Sequence, residues 1–180
     1  MIVIMSDELI NQLLAMAERT RVLEHRAYLF HRDDSVELLY IVEKGGLELI
    51  RPQEDGSSIV LQRADAHTVL AEASLYSDTY HCDAIAVSPS VVATISKPIF
   101  LSRLHADTDF ALLWSSHLAT EMQKSRFRSE ILSKRTVAER LDGWLSFHDN
   151  TLPPKGEWKS VAIQIGVSPE ALYRELSRRR

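Results

Sequence analysis

The chain has 180 residues, 45% of them apolar and 26% charged, with a formal net charge of −4 and a single cysteine, Cys82. This is enough to bury a proper core in one or two domains, and no apolar run approaches the roughly 20 residues that cross a bilayer. One cysteine excludes an internal disulfide and an iron–sulfur cluster held by four of the chain's own thiolates. The short apolar start, followed at once by Asp7 and Glu8, is no export signal, so no membrane partner and a cytoplasmic location are expected.

The charge is unevenly spread. Residues 133–180 carry nine Lys and Arg against six Asp and Glu, a balance of +3, whereas residues 1–132 carry twelve against nineteen, or −7. A basic reading module on an acidic body fits this split, because contact with phosphates needs local positive charge only.

Ser6 to Glu18 places Leu9, Ile10, Leu13, Leu14 and Met16 at helical spacing, with Ser6 or Asp7 available as a cap, and predicts an amphipathic helix. From about Arg21 to Ile95 the period becomes that of strands: Val36, Leu38, Tyr40 and Val42, then Leu47 and Leu49, then Ile59 and Leu61, then the β-branched run 91–95. Glu43-Lys44-Gly45-Gly46 and Gln53-Glu54-Asp55-Gly56 read as hairpin turns. Six to eight short strands with regular turns imply an antiparallel sandwich or roll. Pro98 then opens a short helical turn, Ile99 to Leu104.

A long helix is expected from Asp107 to about Leu132, with Phe110 and Leu113 on the roll. Along it Ala111, Trp114, Leu118, Met122, Ser125, Ser129 and Leu132 recur at threes and fours. This stripe either packs on the roll or pairs with a second copy; the second role is preferred, making Trp114, Leu118, Met122, Ser125, Ser129 and Leu132 the expected dimer interface of a homodimer. A joint at Ser133–Thr136 leads to another amphipathic helix carrying Val137, Leu141, Trp144 and Leu145.

Lys159 to Arg180 reads as helix, turn, helix. Val161, Ala162 and Ile165 precede Gly166, which ends a helix in the left-handed conformation that suits glycine. Ser168 caps the next helix, Pro169 takes its first position and Glu170 its first turn. Such a pair leaves the second helix's outer face free to enter a DNA major groove. That face carries Ser168, Pro169, Glu170, Tyr173 and Arg174, with Lys159 and Arg178 adding charge and Arg178-Arg179-Arg180 closing the chain. The plainer alternative is a surface helix pair with a frayed arginine end.

In this order the elements resemble the Crp/Fnr superfamily of bacterial transcription regulators. The likeness is carried by Leu38–Gln62, Leu70–Val87 (LAEASLYSDTYHCDAIAV), Thr136–Leu145 (TVAERLDGWL) and Ile165–Leu176 (IGVSPEALYREL), and covers nearly the whole chain. It implies an α+β fold: an antiparallel, jelly-roll-like β-roll resembling a cyclic-nucleotide-binding sensor (1–106), a dimerisation helix (107–132) and a helix-turn-helix DNA-binding domain (133–180), either cut short or without the family's usual wing. It implies double-stranded DNA as partner, with RNA polymerase and an unidentified small-molecule effector beside it. Ser168, Glu170 and Arg174 match the family's reading helix. Arg174 suits guanine O6 and N7, Glu170 cytosine N4, and Ser168 a phosphate; Pro169 stands where the family often has an arginine.

The resemblance puts the effector pocket at Ala71, Glu72, Ala73 and Ser74, then His81, Cys82 and Asp83, with Glu121 and Met122 on the long helix. Glu72 can accept a ribose hydroxyl. The family's phosphate-binding arginine falls at His81, which lacks a bidentate fork, and its partner hydroxyl at Cys82. Asp65-Ala66-His67 replaces the family's Gly-x-Gly turn. Cyclic AMP is therefore disfavoured, because a buried unpaired phosphate is costly, and no cofactor is assigned. A metal, haem or redox sensor at His81-Cys82 is weighed against a plain buried thiol beside a hydrogen-bonded histidine, since neighbours on a strand point to opposite faces. Another alternative is a degenerate sensor module acting through protein partners alone. An oxygenase of the metal-dependent roll type would need a His-x-His pair, which does not occur, so no enzyme activity and no metal site are expected.

Overall fold

The computed structural model describes residues 2–179, with side chains from residue 7 onward; Arg180, expected at the basic end, lies outside the described residues. The chain forms two compact units, Met1–Leu118 and Ala119–Arg180.

The first unit opens with α1 (Ile2–Ala15), which starts earlier than its cap signals suggest. Asp7 is therefore inside the helix and caps nothing. The helix also stops before Glu18, whose N–H bonds the Thr94 carbonyl at 2.9 Å and whose Oε2 accepts from Ser96 N–H at 2.8 Å. Eight strands follow: β1 (Arg19–Leu23), β2 (Tyr28–Phe30), β3 (Leu38–Lys44), β4 (Gly46–Pro52), β5 (Ser58–Asp65), β6 (Thr68–Leu70), β7 (Asp83–Ala86) and β8 (Ser90–Ser96). They make two antiparallel four-stranded sheets, ordered β1-β8-β3-β6 and β2-β7-β4-β5. Gln53–Gly56 is the expected hairpin, with Gln53 N–H on the Ser57 carbonyl at 2.8 Å and Gly56 at φ 80°.

Glu43–Gly46 is not a hairpin. β3 and β4 belong to different sheets, so this turn carries the chain across the roll. Gly45 takes φ 83°, and a Cβ there would collide with the Ser90 hydroxyl and the Pro89 carbonyl. The buried Ser90 hydroxyl locks the crossing by accepting from Gly46 N–H at 3.0 Å and donating to Gly46 O at 3.1 Å.

β3 is apolar on both faces because both are buried. Tyr40 and Val42 point into the roll, where Phe30 stacks on Tyr80 at 3.7 Å and on Tyr40 at 5.6 Å. Leu39 and Ile41 point out, under Leu9, Ile10 and Leu13 of α1, Phe100 of α2 (Lys97–Ala106), and Phe110 and Trp114 of α3 (Thr108–Ser133). Asp107 starts α3 by accepting Phe110 N–H at 3.0 Å. The stripe expected to face a second copy is corrected here at its first members. Trp114 is 1% exposed, edge-on to Phe100 at 4.7 Å, and Leu118 packs partly on the same cluster. The side that α3 leaves open in this unit carries Leu112, 64% exposed, and Ser115.

The second unit holds the end of α3, α4 (Val137–Phe147), α5 (Trp158–Gln164) and α6 (Pro169–Arg178). Its core is Ile131, Leu141, Trp144, Val161, Ala162, Ile165, Leu172 and Leu176.

Candidate nucleic-acid interface and effector pocket

α5 ends in a left-handed Gly166 at φ 66°, with Val167 N–H returning to the Ala162 carbonyl at 2.9 Å. With Gly166 N–H on the Ile163 carbonyl at 3.1 Å, the bonds and the conformation are those of a glycine C-cap. Leu132 lies where a Cβ on Gly166 would go, so the site has room for hydrogen only. Ser168 caps α6 by accepting Ala171 N–H at 3.2 Å, and Pro169 follows in its first turn.

α6 divides cleanly. Leu172, Glu175 and Leu176 are buried, while Ser168, Glu170, Arg174, Ser177 and Arg178 are exposed. Tyr173 serves both sides: it is half-buried, its ring 5.8 Å from Trp158. The Glu170 carboxyl is held below its ordinary range by its own N–H, then by the Ser168 hydroxyl and the Lys159 charge, so it stands ionised as an acceptor. Lys159 is exposed near the start of α5.

Three residues that the sequence did not single out organise this face. Arg140 on α4 donates to four carbonyls, Leu132 at 3.1 Å, Lys134 at 2.9 Å, Ile165 at 3.3 Å and Gly166 at 2.9 Å. Glu175, 8% exposed, accepts from Arg179 at 2.8 Å, and Arg179 also reaches Asp142 and the Ala138 carbonyl, so Arg179 is pinned to α4. A cleft of about 240 Å³ opens between the first turn of α4 (Thr136, Val137, Ala138) and Ala171, Arg174, Glu175 and Arg178 of α6. The positive end of a helix dipole and two arginines thus border one hollow together with Glu175, whose carboxylate Arg178 pairs with at 3.5 Å.

The start of α4 is a full capping box: Thr136 accepts Glu139 N–H at 3.1 Å and Glu139 accepts Thr136 N–H at 3.0 Å. Thr136→Ala is expected to cost about 1 kcal/mol in urea unfolding of this unit. Glu139 is held below its ordinary 4.5, chiefly by the Thr136 backbone N–H. A depressed carboxyl contributes stability above its unfolded value and loses it as pH falls through the folded one. On acid titration followed by tryptophan fluorescence, Glu139→Gln should therefore lose less stability than the wild type as the pH falls through the carboxylate range.

In the first unit, the pocket residues surround a 3-10 turn, Glu72–Ser74, entered through Ala71 in a left-handed conformation at φ 61°. Glu72 Oε2 accepts from Gln62 Nε2 at 3.3 Å, and the same nitrogen donates to the Val69 carbonyl at 3.4 Å. Ser74 is buried, and its hydroxyl meets His81 Nδ1 at 3.2 Å, whereas Ala73 and the rest of His81 face solvent. Cys82 is fully buried and burial pushes its thiol up, so it is a poor nucleophile. Asp83 Oδ1 accepts from Arg32 N–H at 2.7 Å, with His31 3.8 Å away. The structure thus joins Ser74 to His81 and engages Glu72 with Gln62 and Asp83 with Arg32. His67, in place of glycine, takes φ 66° in the preceding turn and bonds the Val42 carbonyl at 2.8 Å. Among the described residues no three His, Cys, Asp or Glu side chains form a metal cage.

Glu121 and Met122 lie in the second unit, Glu121 paired with Lys124 at 2.7 Å and Met122 53% exposed. Ser125, Ser129 and Leu132 are exposed there as well.

Residues 20–107 match the family model described as Cyclic nucleotide-binding domain. The chain is similar in structure to FixK2 from Bradyrhizobium japonicum, with 18% identity, a TM-score of 0.67, and 89% of this chain and 83% of that one covered. It is similar to CLP, the c-di-GMP-responsive global regulator of Xanthomonas campestris, with 19% identity, a TM-score of 0.64 and coverage of 96% and 90%. It is similar also to the catabolite activator protein of Thermus thermophilus, with 18% identity, a TM-score of 0.56 and coverage of 95% and 82%. At these identities the likeness is one of fold. No curated protein matches the sequence. No helix among the described residues is long and apolar enough to cross a membrane.

Proposed function

We propose that this chain is a cytoplasmic, dimeric transcription regulator that reads promoter DNA through α6 and answers to a small molecule held by the β-roll. The observation that carries the reading is the exposed row Ser168, Glu170, Arg174 on a helix whose entry is fixed by Gly166 and the Ser168 cap. Arg174 forks onto guanine O6 and N7, and the ionised Glu170 accepts from cytosine N4. The cleft at the start of α4, bordered by Arg174 and Arg178, suits a backbone phosphate. Lys159 and Arg178 add sequence-independent attraction, while Tyr173 contributes to the fold of the reader as much as to its surface. Pairing with a second copy uses the exposed residues Met122, Ser125 and Ser129 of α3, and RNA polymerase is the downstream partner of such a dimer.

The test is operator selection from random duplexes followed by anisotropy titration at one fixed salt concentration. Arg174→Ala should weaken the selected operator by about 1–3 kcal/mol and relax the preference at one base pair. Lys159→Ala should weaken all duplexes alike and flatten the salt dependence. If Arg174→Ala and Glu170→Ala leave operator binding unchanged, α6 is not a DNA reader, and a role through protein partners takes its place.

A further inference from the structure

Glu170, Arg174 and Ser177 form the exposed line of α6, and Leu172, Glu175 and Leu176 its buried one. Two borders separate these lines, and they differ in chemistry. The border carrying Ala171 and Arg178 faces the start of α4 and lines the cleft there. The other carries Pro169 and Tyr173, which lie four residues apart and so are neighbours on one side of the helix. Both are half-buried.

This second border is held from α5. The Tyr173 ring lies 5.8 Å from that of Trp158, at an interplanar angle of 45°. Trp158 is fixed in turn, because its Nε1 donates to the Pro153 carbonyl at 2.9 Å and its ring packs on the core of this unit. Tyr173 follows the buried Leu172 and precedes the exposed Arg174, so it stands at the edge of the core, one position from the guanidinium. A tyrosine has few torsions to lose, and this one is already braced, so its apolar area is offered at low entropic cost.

The border offers little to a polar base edge. Pro169 has neither an N–H nor a polar side-chain atom. One turn on, the Ser177 hydroxyl is engaged by the Tyr173 carbonyl, to which it donates at 2.9 Å. What remains is apolar surface with a single phenolic hydroxyl. The base edges in the major groove present donors and acceptors, and one projecting apolar group, the C5-methyl of thymine. An apolar flank of a reading helix has that group alone to recognise.

We infer that Tyr173 is a specificity-determining residue whose ring reads a thymine methyl beside the base pair taken by Arg174. The inference rests on the DNA reading proposed above and deepens it. Hydrogen bonds from Arg174 and Glu170 read one line of the half-site, and a braced aromatic surface reads the next.

The test uses the full chain and its selected operator, in anisotropy titrations at one salt concentration. Each thymine of a half-site is replaced in turn by deoxyuridine, which removes the methyl and keeps every hydrogen-bonding group. One replacement is expected to weaken the wild type about three- to fivefold, the worth of one buried methyl. Tyr173→Phe should show the same loss. Tyr173→Ala should bind the thymine operator more weakly and no longer distinguish thymine from uracil at that position. A wild type indifferent to every methyl overturns the inference, and this arm needs no variant to fold. A methyl dependence that Tyr173→Ala keeps overturns it as well, and one that Tyr173→Phe loses assigns the contact to the hydroxyl instead of the ring. If no operator is selected, or Arg174→Ala and Glu170→Ala bind it as the wild type does, the DNA reading itself fails and takes the inference with it.

Discussion

Trp114→Ala is expected to cost the first unit about 3–5 kcal/mol in urea unfolding, the range for emptying a buried tryptophan site. The indole is 1% exposed and fills the space between Phe100, Phe110 and the apolar side of α1. Collapse around the hole is limited, because three helices and a sheet all meet there. The indole Nε1 has no hydrogen-bond partner, so Trp114→Phe gives up packing without orphaning a polar group and should cost clearly less than the alanine change. The experiment also separates two roles for this residue. A tryptophan in a dimer interface would change the sedimentation behaviour at nearly unchanged monomer stability; a core tryptophan changes the unfolding midpoint at every protein concentration. A loss below about 1 kcal/mol for the alanine variant would contradict the core position.

Gly45→Ala is expected to cost about 3 kcal/mol or more. The left-handed backbone alone penalises a Cβ by about 1–2 kcal/mol, and here the added carbon also meets the Pro89 carbonyl and the Ser90 hydroxyl, neither of which can retreat without opening the crossing. Gly56→Ala is the matched control. It has nearly the same positive φ, but nothing stands near its Cβ position, so only the conformational part applies. A thermal melt of the two variants side by side should show Gly45→Ala falling much further. Equal shifts would mean that the collision at the crossing is relieved at little cost.

These two positions also mark how far the sequence can be read. Turn and cap chemistry is local, so Gly166, the Ser168 cap and the Gln53–Gly56 hairpin stand where their residue types put them. Alternation along a strand reports which faces are buried but not which strand lies alongside. Glu43–Gly46 has every mark of a hairpin and is nonetheless the passage between two sheets. On α3 the apolar residues are dense enough that stripes one residue apart fit equally well, and only packing against Phe100 shows that Trp114 belongs inside and Leu112 outside. Of the candidate site, the sequence does not show that the Ser74 hydroxyl meets the His81 ring or that Glu72 of the same turn takes the Gln62 amide. Arg140 escapes a sequence reading because its acceptors are backbone carbonyls, which carry no letter in the sequence.

The Arg140 contacts have a mechanical meaning. Their four acceptors sit at two helix ends, Leu132 and Lys134 where α3 finishes and Ile165 and Gly166 where α5 does. Each end exposes carbonyls that the helix itself leaves unpaired, together with the negative pole of its dipole. A single permanent cation therefore neutralises two poles at once. Pulling either helix end away from it would strand a charge and several carbonyls together, so one side chain ties the tail of α3 to the turn before α6.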